Sequence, residues 1–346
     1  MTRFLWELPL RGDGRRADPA RWQRNGFEHL HQVIDAAELA GLDGVVAPYD
    51  PDGEESWIVA GGALRHTRHS RVIVEFHPAF GTPVYAAKLS LTLQRLGADR
   101  LDWLLHVDTT TQDARQRGDR VTGTARYERA AEFLTVARGV WSGRGALRGG
   151  FDGGEFHHDG TYFDVVAGGF DEAVDGHPFP TVHLTGTSPE AIALSAEHGD
   201  VHLFTESTNS LAAQVAALRD AATARDRAVG AGLVLPVIAR EDEDEARARL
   251  LRLWRETDPS ATEPEVLARF IDDLRFDGFD HIGHRVPVGL VGSYDQVAER
   301  LAAYERSGIT TFVLSGHPSI EEIHRAGEHL LHLADPAGRT LTGASA

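Results

Sequence analysis

The sequence predicts an α/β fold, specifically a TIM (β/α)8 barrel with insertions. Strand and helix signals alternate along the whole 346-residue chain, which indicates repeated βα units. The strand signals are short, continuous apolar runs, as in parallel strands buried on both faces. No Gly-x-Gly-x-x-Gly motif follows the first strand, which disfavours the main alternative, a doubly wound open sheet. Eight such units in a chain of this length favour a closed barrel.

Each predicted strand is an apolar run, and the segment that follows it has apolar residues at helical spacing. Gly41, for example, ends the first of these helical segments. The strands are expected over residues 3–9, 44–47, 72–76, 101–107, 181–184, 201–204, 233–239 and 309–315. The helices are expected over 27–39, 56–64, 84–96, 127–141, from 189, over 211–228 and 244–255, and in the last two units.

The last two units carry the clearest local signals. Ser293 followed by Gln296 is a capping box, and Gly308 stands where a helix ends in a left-handed residue. The β-rich run 309–315 then predicts a buried strand, and Ser319 begins the final helix. This helix–strand–helix sequence is the closing step of a barrel or a doubly wound sheet.

Two segments are expected as insertions within one domain that spans residues 1–346. The first, about 149–169, is rich in glycine, and Asp159-Gly160 between apolar runs predicts a β-hairpin there. The second, 257–287, is expected to be irregular. In such barrels the chemistry lies at the C-terminal ends of the strands, so the loops that follow the strands are the ones to search.

Composition excludes several classes of function. The chain has 35 basic and 52 acidic residues, a net charge of −17, which opposes nucleic acid and anionic membranes as partners. No apolar run approaches the roughly 18 residues of a membrane span. There is no cysteine, so disulfides, thiolate zinc sites and cysteine nucleophiles are excluded. The N-terminus lacks the pattern of a signal peptide, and the cytoplasm is the expected compartment.

Gly186, Thr187 and Ser188, followed by Pro189, form the best candidate for an anion site. They follow a strand and open a helix, so backbone N–H groups, two hydroxyls and the helix dipole can face a phosphate. Ser188 as an N-cap with proline at the first helical position explains the same residues without any ligand. Spacing alone leaves both interpretations open.

Arginine and histidine residues near the strand ends supply further candidates. Arg126 and Tyr127 open the helix after the fourth strand, where a guanidinium and a phenol can hold a phosphate or simply lie on the surface. His77 and His106 follow the third and fourth strands and can contact a ligand or serve as satisfied core histidines. Arg11, Arg15 and Arg16 after the first strand can neutralise an anion or belong to a glycine-rich turn.

No metal site is expected, because the first strand lacks the paired histidines of metal-dependent barrel hydrolases. Gly-x-Ser-x-Gly elbows, P-loops and zincin motifs are also absent from the sequence. The residues alone therefore predict a TIM-barrel enzyme and leave open whether its ligand carries a phosphate.

Several motifs spread over nearly the whole chain share a family pattern. They are Phe4-Leu5-Trp6, Glu55-x-Trp57, Arg126-Tyr127-Glu128 with Glu132-Phe133, Gly186-x-Ser188, Val291-Gly292-Ser293 and Gly316-x-Pro318. In these motifs the sequence resembles the bacterial-luciferase-like flavin-dependent monooxygenases, nearest the alkanesulfonate monooxygenase branch.

The resemblance implies a two-component monooxygenase on a TIM barrel, expected to be a homo-oligomer. Such an enzyme receives reduced FMN (FMNH2) from a separate NAD(P)H:flavin reductase and acts with O2 on a small-molecule organic substrate. The resemblance assigns the flavin phosphate to Tyr127, Gly186, Thr187 and Ser188. Substrate contacts and proton transfer are assigned to His77, His106, Arg285 and His317.

The sequence also departs from the family pattern. Leu104 and Val107 stand where the flavin pocket has Asn and Thr, and Val234 and Pro236 stand where the alkanesulfonate branch has Arg and His. A sulfonate is therefore disfavoured as substrate. Two alternatives remain open: a catalytically degenerate paralogue that acts as a partner subunit, and an F420-dependent or flavin-independent enzyme on the same barrel.

Overall fold

A computed structural model describes residues 2–10, 12–13, 27–143, 155–170, 176–206 and 211–336. Its strands, in chain order, are β1 (Arg3–Glu7), β2 (Gly44–Ala47), β3 (Arg71–Phe76), β4 (Leu101–Leu105), β5 (Phe156–Asp159), β6 (Asp164–Gly168), β7 (Val182–Thr185), β8 (Val201–Thr205), β9 (Gly230–Arg240), β10 (Arg275–Asp277), β11 (Val288–Ser293) and β12 (Ile309–Ser315).

The helices alternate with these strands. They are α1 (Phe27–Leu39), α2 (Ser56–His66), α3 (Pro83–Gly97), α4 (Thr111–Gln116), α5 (Ala125–Ser142), α6 (Pro189–His198), α7 (Leu211–Thr223), α8 (Glu243–Thr257), α9 (Glu263–Leu267), α10 (Tyr294–Arg306), α11 (Ser319–Arg325) and α12 (Leu331–Ala334), with a π-helical turn Ala326–Leu330 before α12. None of the helices in the described residues has the length and apolarity that a membrane crossing needs.

The parallel strands form a closed barrel, as the alternation of signals predicted. The ring runs β1, β2, β3, β4, β7, β8, β9 and β12, and it closes because β12 pairs with both β9 and β1. Within the described residues these eight strands are the eight that the sequence predicted, with ends shifted by at most three residues. The TIM-barrel prediction is confirmed.

An apolar layer fills the middle of the barrel. The cluster contains strand residues only, so it lies inside the ring rather than under the helices; its buried members are Leu5, Val46, Ile73, Leu104, Leu203 and Val313. Side chains two positions apart on a strand face the same way. The residues two positions after Leu5, Ile73 and Leu104 are Glu7, Glu75 and His106, so a polar layer follows directly at the C-terminal end.

The segment 257–287 is more regular than the sequence predicted. It contains α9 and β10, and β10 pairs antiparallel with β11. In turn, β11 pairs in parallel with the C-terminal half of β9. The prediction of an irregular segment was wrong here, and β11 was missed. A three-residue strand has no periodic signal, and the glycines at 289 and 292 weaken the strand pattern of β11.

The predicted hairpin is present as β5 and β6, which pair antiparallel. Its turn spans residues 160–163, slightly later than the Asp-Gly signal indicated. The Glu132 carboxylate on α5 accepts N–H groups from Thr161, Tyr162 and Phe163 at 3.1, 3.0 and 2.7 Å. A single carboxylate on α5 therefore binds three consecutive N–H groups of the hairpin turn.

Candidate functional site

A cavity of about 510 Å³ opens at the C-terminal ends of the barrel strands. We call it the mouth cavity. It is lined by residues that follow β1, β2, β4 and β12 and by residues of the 280–285 turn, among them Glu7, Pro48, Tyr49, His106, Thr109, His284, Arg285, Ser315 and His317.

Glu75 is the central acceptor beneath this cavity. Its carboxylate is 1% exposed and accepts from Arg285 Nη1 at 2.6 Å, from Arg285 Nη2 at 3.0 Å and from the Tyr49 N–H at 2.9 Å. His106 Nδ1 lies 3.0 Å from the same carboxylate. Burial alone would raise the pKa of Glu75, but Arg285 and His106 outweigh burial and hold the pKa well below its usual range. The carboxylate is therefore ionised.

Arg285 places a positive charge in the lining of the mouth cavity. It bridges Glu75 and Glu7, whose carboxylate lies 3.2 Å from Nη1, while 35% of the Arg285 side chain stays exposed. Burial alone would lower the pKa of Arg285, but the two carboxylates raise it far above the ordinary range. Burial raises the pKa of Glu7 despite the arginine beside it. The guanidinium stays charged and faces the cavity in a fixed position.

His106 has a defined tautomer because of Glu75. An ionised carboxylate can only accept, so His106 Nδ1 carries a proton, and Nε2 is an acceptor in the neutral ring. The Tyr49 ring packs 4.9 Å from the His106 ring, and burial raises the pKa of the Tyr49 phenol. This wall of the cavity therefore places an imidazole oriented by Glu75 beside a neutral phenol.

Two further histidines form the opposite wall. His284 is buried, its Nδ1 lies 2.9 Å from Ser315 Oγ, and burial together with His317 lowers its pKa well below the usual range. His317 packs against it with ring centroids 4.3 Å apart, and His317 Nδ1 lies 3.4 Å from the Asp13 carboxylate. His284 is thus neutral. His317 is the more exposed of the two rings and contacts Asp13.

The predicted phosphate residues come together at the start of α6. Ser188 Oγ accepts the Ala191 N–H at 3.1 Å as the N-cap and donates to Tyr127 Oη at 3.1 Å. Tyr127 donates in turn to the Asp108 carboxylate. Gly186 has φ +126°, and a Cβ there would lie 2.7 Å from Asp108 Oδ2. The glycine lets this carboxylate approach the turn.

Asp108 therefore occupies the place where the resemblance puts an anion. Arg126 lies 3.6 Å from the Asp108 carboxylate, and 42% of the Asp108 side chain is exposed. Thr187 is exposed at the edge of the same turn. The donors fit a phosphate, but a dianion and the aspartate cannot share the position because like charges repel. A phosphate would use these donors only in place of the Asp108 carboxylate.

A buried histidine supports the turn from behind. His202 Nε2 donates to the Gly186 carbonyl at 3.0 Å, and Ser195 Oγ donates to His202 Nδ1 at 2.7 Å. Burial lowers the pKa of His202 to about 4, so the ring is neutral near pH 7 and has one fixed tautomer. This pair positions the Gly186 backbone without touching a ligand.

The sequence-predicted site residues fall into three places. His106, Arg285 and His317 line the mouth cavity, Tyr127, Gly186 and Ser188 meet in the cradle, and Thr187 is exposed at the edge of the same turn. Thr109, which lines the mouth cavity, directly follows Asp108 of the cradle, so the two sites are one residue apart along the chain there. His77 instead lines a second cavity. Arg11, Arg15 and Arg16 lie outside the described residues.

Two acidic residues were missed by the sequence reasoning. Glu75 is the one charged residue in the apolar run 72–76, and a lone charge in a buried strand is a usable signal. Asp108 carried no such signal, because an aspartate in a polar loop is ordinary. Its position opposite Gly186 depends on the neighbouring strands β4 and β7.

The second cavity, which we call the side cavity, has a volume of about 710 Å³. It lies between the loops after β2, β3 and β4 and the β5–β6 turn, and its walls include His77, Phe80 and Arg129. Tyr49, Asp50, Pro51 and Thr109 line both cavities, so the two spaces adjoin.

Comparisons with known proteins agree with this architecture. Residues 2–311 match the family model described as luciferase-like monooxygenase. The fold is similar to a riboflavin lyase solved with modified FMN and riboflavin (TM-score 0.78, 18% identity, 100% of this chain and 94% of the other). It is also similar to the EDTA monooxygenase from Chelativorans sp. BNC1 (0.76, 18%, 97% and 94%). An F420-dependent secondary alcohol dehydrogenase with an F420–acetone adduct shares the fold too (0.68, 15%, 96% and 99%). The family match, over nine-tenths of the length, confirms the resemblance seen in the motifs, and the chain belongs to the luciferase-like monooxygenase family.

Proposed function

We propose that the chain is a two-component monooxygenase that uses FMNH2 and O2 to oxidise a small organic substrate. A separate NAD(P)H:flavin reductase supplies the reduced flavin, and the chain self-associates as a homo-oligomer within one continuous domain. The observation that carries the proposal is the adjacency of the mouth cavity to the cradle of Tyr127, Ser188 and the N-terminus of α6. This adjacency supports a bound flavin whose ring system lies in the mouth cavity and whose phosphate lies in the cradle.

The residues of the mouth cavity have distinct tasks in this proposal. Reduced FMN, when bound, supplies the electrons that activate dioxygen. Arg285, held by Glu75 and Glu7, stabilises negative charge that develops in the cavity. His106 Nε2 accepts a proton, because Nδ1 is committed to Glu75. The 280–285 turn, which carries Arg285 over the barrel, limits the access of water.

One observation favours a second candidate function. Asp108 lies in the cradle and opposes a bound phosphate, as in a degenerate paralogue that supports an active partner subunit. The two functions differ in a direct measurement. The monooxygenase converts FMNH2, O2 and an organic substrate to oxygenated product, water and oxidised FMN when it is the only barrel chain present, whereas the degenerate paralogue forms oxygenated product only together with a second, active barrel chain.

Binding of FMN tests the proposal through one hydroxyl. Tyr127→Phe removes the phenol at the cradle, and we expect FMN affinity to fall about fivefold to tenfold for one lost hydrogen bond near a charged group. Tyr85→Phe is the matched control, because Tyr85 is 55% exposed on α3 and lines neither cavity. Flavin fluorescence measures both titrations, with F420 titrated in parallel as the competing cofactor. Equal FMN affinity in the Tyr127→Phe variant, or preference for F420, would contradict the proposal.

A further inference from the structure

Two residues that line the side cavity each carry a buried donor atom without a hydrogen-bond partner. His77 and Arg129 are each 7% exposed and line this cavity. Among the described residues, His77 Nε2 and Arg129 Nε have no hydrogen-bond partner. Buried donors of this kind are rare because each costs free energy when unsatisfied. A ligand oxygen in the cavity would satisfy them.

The protonation of His77 is fixed by its loop. The Ala79 N–H donates to His77 Nδ1 at 3.0 Å, so Nδ1 is the acceptor and Nε2 carries the proton. Burial, and then the charge of Arg129, lower the pKa of His77 to about 4. His77 is therefore a neutral donor near pH 7, and the sequence-based assignment of proton transfer to it fits this geometry less well than a binding role.

Arg129 brings a donor but little net charge. Its Nη1 and Nη2 each lie 2.8 Å from the Asp119 carboxylate, a buried bidentate pair that compensates the guanidinium. Thr109 Oγ1, at the junction with the mouth cavity, is likewise buried and lacks a partner in the described part of the chain. Three residues that line the adjoining cavities thus each carry a buried polar atom without a partner among the described residues.

The charges around the side cavity select against anions. Four acidic residues and two arginines line it, namely Asp50, Glu54, Glu55, Asp119, Arg117 and Arg129. This excess of acid disfavours a carboxylate or phosphate ligand. Phe80, Tyr162 and Phe163 supply apolar surface on the same walls. The lining suits an uncharged, partly apolar molecule with an oxygen acceptor.

We propose that the side cavity binds the uncharged end of an elongated organic substrate, whose carbonyl-type oxygen accepts a hydrogen bond from His77 Nε2–H beside Arg129. The other end of the molecule passes Thr109 and Tyr49 into the mouth cavity, where oxidation takes place; this last part rests on the proposed monooxygenase function. The chain therefore acts on neutral ketones, esters or amides rather than on sulfonates or carboxylates.

Three matched probes test the binding step without any flavin. They share a phenyl ring and differ at the other end: 4-phenylbutan-2-one has a ketone, 4-phenylbutanoate a carboxylate, and butylbenzene no oxygen. Trp57 stacks on Phe80 at 5.6 Å, so tryptophan fluorescence reports on this cavity, and calorimetry gives the affinities. We expect the ketone to bind most tightly of the three.

Two substitutions at His77 separate the donor from the loop contact. His77→Asn keeps an oxygen that accepts the Ala79 N–H but removes Nε2, and we expect ketone affinity to fall about fivefold to tenfold. His77→Gln places an amide N–H near the position of Nε2 and should retain most of the affinity. Phe80→Ala, on a side chain that is 42% exposed, should weaken all three probes without threatening the fold.

Several results would overturn the proposal. These are tighter binding of the carboxylate, equal binding of butylbenzene, unchanged ketone affinity in the His77→Asn variant, and displacement of the ketone by oxidised FMN, which would assign the side cavity to the flavin. Ketone binding with the expected variant effects but without FMN binding would uphold the side cavity and refute only the flavin proposal.

Discussion

At the scale of single residues, the site is organised by buried charges whose partners come from distant parts of the sequence. Glu75 accepts from Arg285 and His106, and these contacts hold one guanidinium and one imidazole in fixed orientations at the mouth of the barrel. Asp108 plays the opposite part in the cradle, where its carboxylate uses the donors that a phosphate needs. Both features lead to measurable consequences.

Arg285→Gln should reverse the pH dependence that Glu75 contributes to stability. In the native chain the pKa of Glu75 is depressed, so its contribution is present above the unfolded pKa near 4.3 and is lost as pH falls. Without Arg285, burial raises that pKa, and stability is lost as pH rises through the unfolded pKa toward the folded one. We expect a loss of about 2 kcal/mol or more at neutral pH, discounted for the partial exposure of Arg285.

Thermal unfolding at about pH 5 and about pH 8 measures this reversal. The Arg285→Gln variant should be more stable at the lower pH than at the higher pH. In the native chain, Glu75 should cause no loss of stability between these two pH values. The double variant Arg285→Gln, Glu75→Gln is the control and should have no slope from this site. Parallel behaviour of the single variant and the native chain would show that Glu75 is not governed by Arg285.

Asp108→Asn should increase the affinity for FMN. The substitution removes the negative charge from the cradle while preserving an acceptor for the Tyr127 hydroxyl. We expect FMN to bind about tenfold more tightly, the effect of roughly 1.4 kcal/mol of relieved repulsion at a partly exposed position. Riboflavin, which lacks the phosphate, is the control ligand and should bind equally to both forms in calorimetric titrations. An equal gain for riboflavin would show that Asp108 does not act on the phosphate.

At the scale of secondary-structure elements, the start of α6 has two roles. Ser188 caps the helix through the Ala191 N–H, and it also orients Tyr127 in the cradle. The buried pair His202 and Ser195 holds the preceding Gly186 from the other side. The two interpretations that the sequence left open are therefore compatible, because capping uses the Ser188 lone pair and orientation uses its proton.

A comparison of two N-caps separates these roles. Ser188→Ala and Ser293→Ala each remove a serine that caps a helix, and each should cost about 1 kcal/mol of unfolding free energy. Ser293 begins α10 and lines neither cavity, so its loss should leave FMN binding unchanged. Ser188→Ala should in addition weaken FMN binding about threefold or more through Tyr127. Equal FMN affinities in the two variants would limit Ser188 to capping.

At the scale of the whole molecule, the barrel joins strand ends that are far apart in sequence, and its surface carries a large charge. The net charge of −17 implies self-repulsion in the folded chain. Raising NaCl from about 10 mM to about 150 mM shortens the screening length from roughly 30 Å to roughly 8 Å. We therefore expect the Tm to rise by a few degrees over this range.

Differential scanning calorimetry measures the salt effect directly. Sucrose at matched osmolality is the control, since it does not screen charge. The change in Tm due to charge is the difference between the NaCl series and the sucrose series. A Tm that falls with NaCl would mean that attractive ion pairs outweigh the net repulsion. The expected homo-oligomer is measured by light scattering in the same buffers.

The sequence by itself determined the ring of strands, the helix caps and the family. Ser293 with Gln296, Ser188 with Pro189 and the apolar run 309–315 act through neighbours within four residues, so their structural meaning is readable locally. The cradle residues were also predicted, because strand ends of a parallel barrel gather on one face.

Only the tertiary structure decided how these residues act. Arg285 and Glu75 are 210 residues apart, and their bond exists because a loop folds back over the barrel mouth. Asp108 meets Gly186 because β4 and β7 are adjacent. His77 is the first residue after β3, and it lines the side cavity instead of the mouth cavity. Local periodicity carries no information on such contacts. They are fixed when the ring closes and the burial of each charge requires a partner from wherever the fold supplies one.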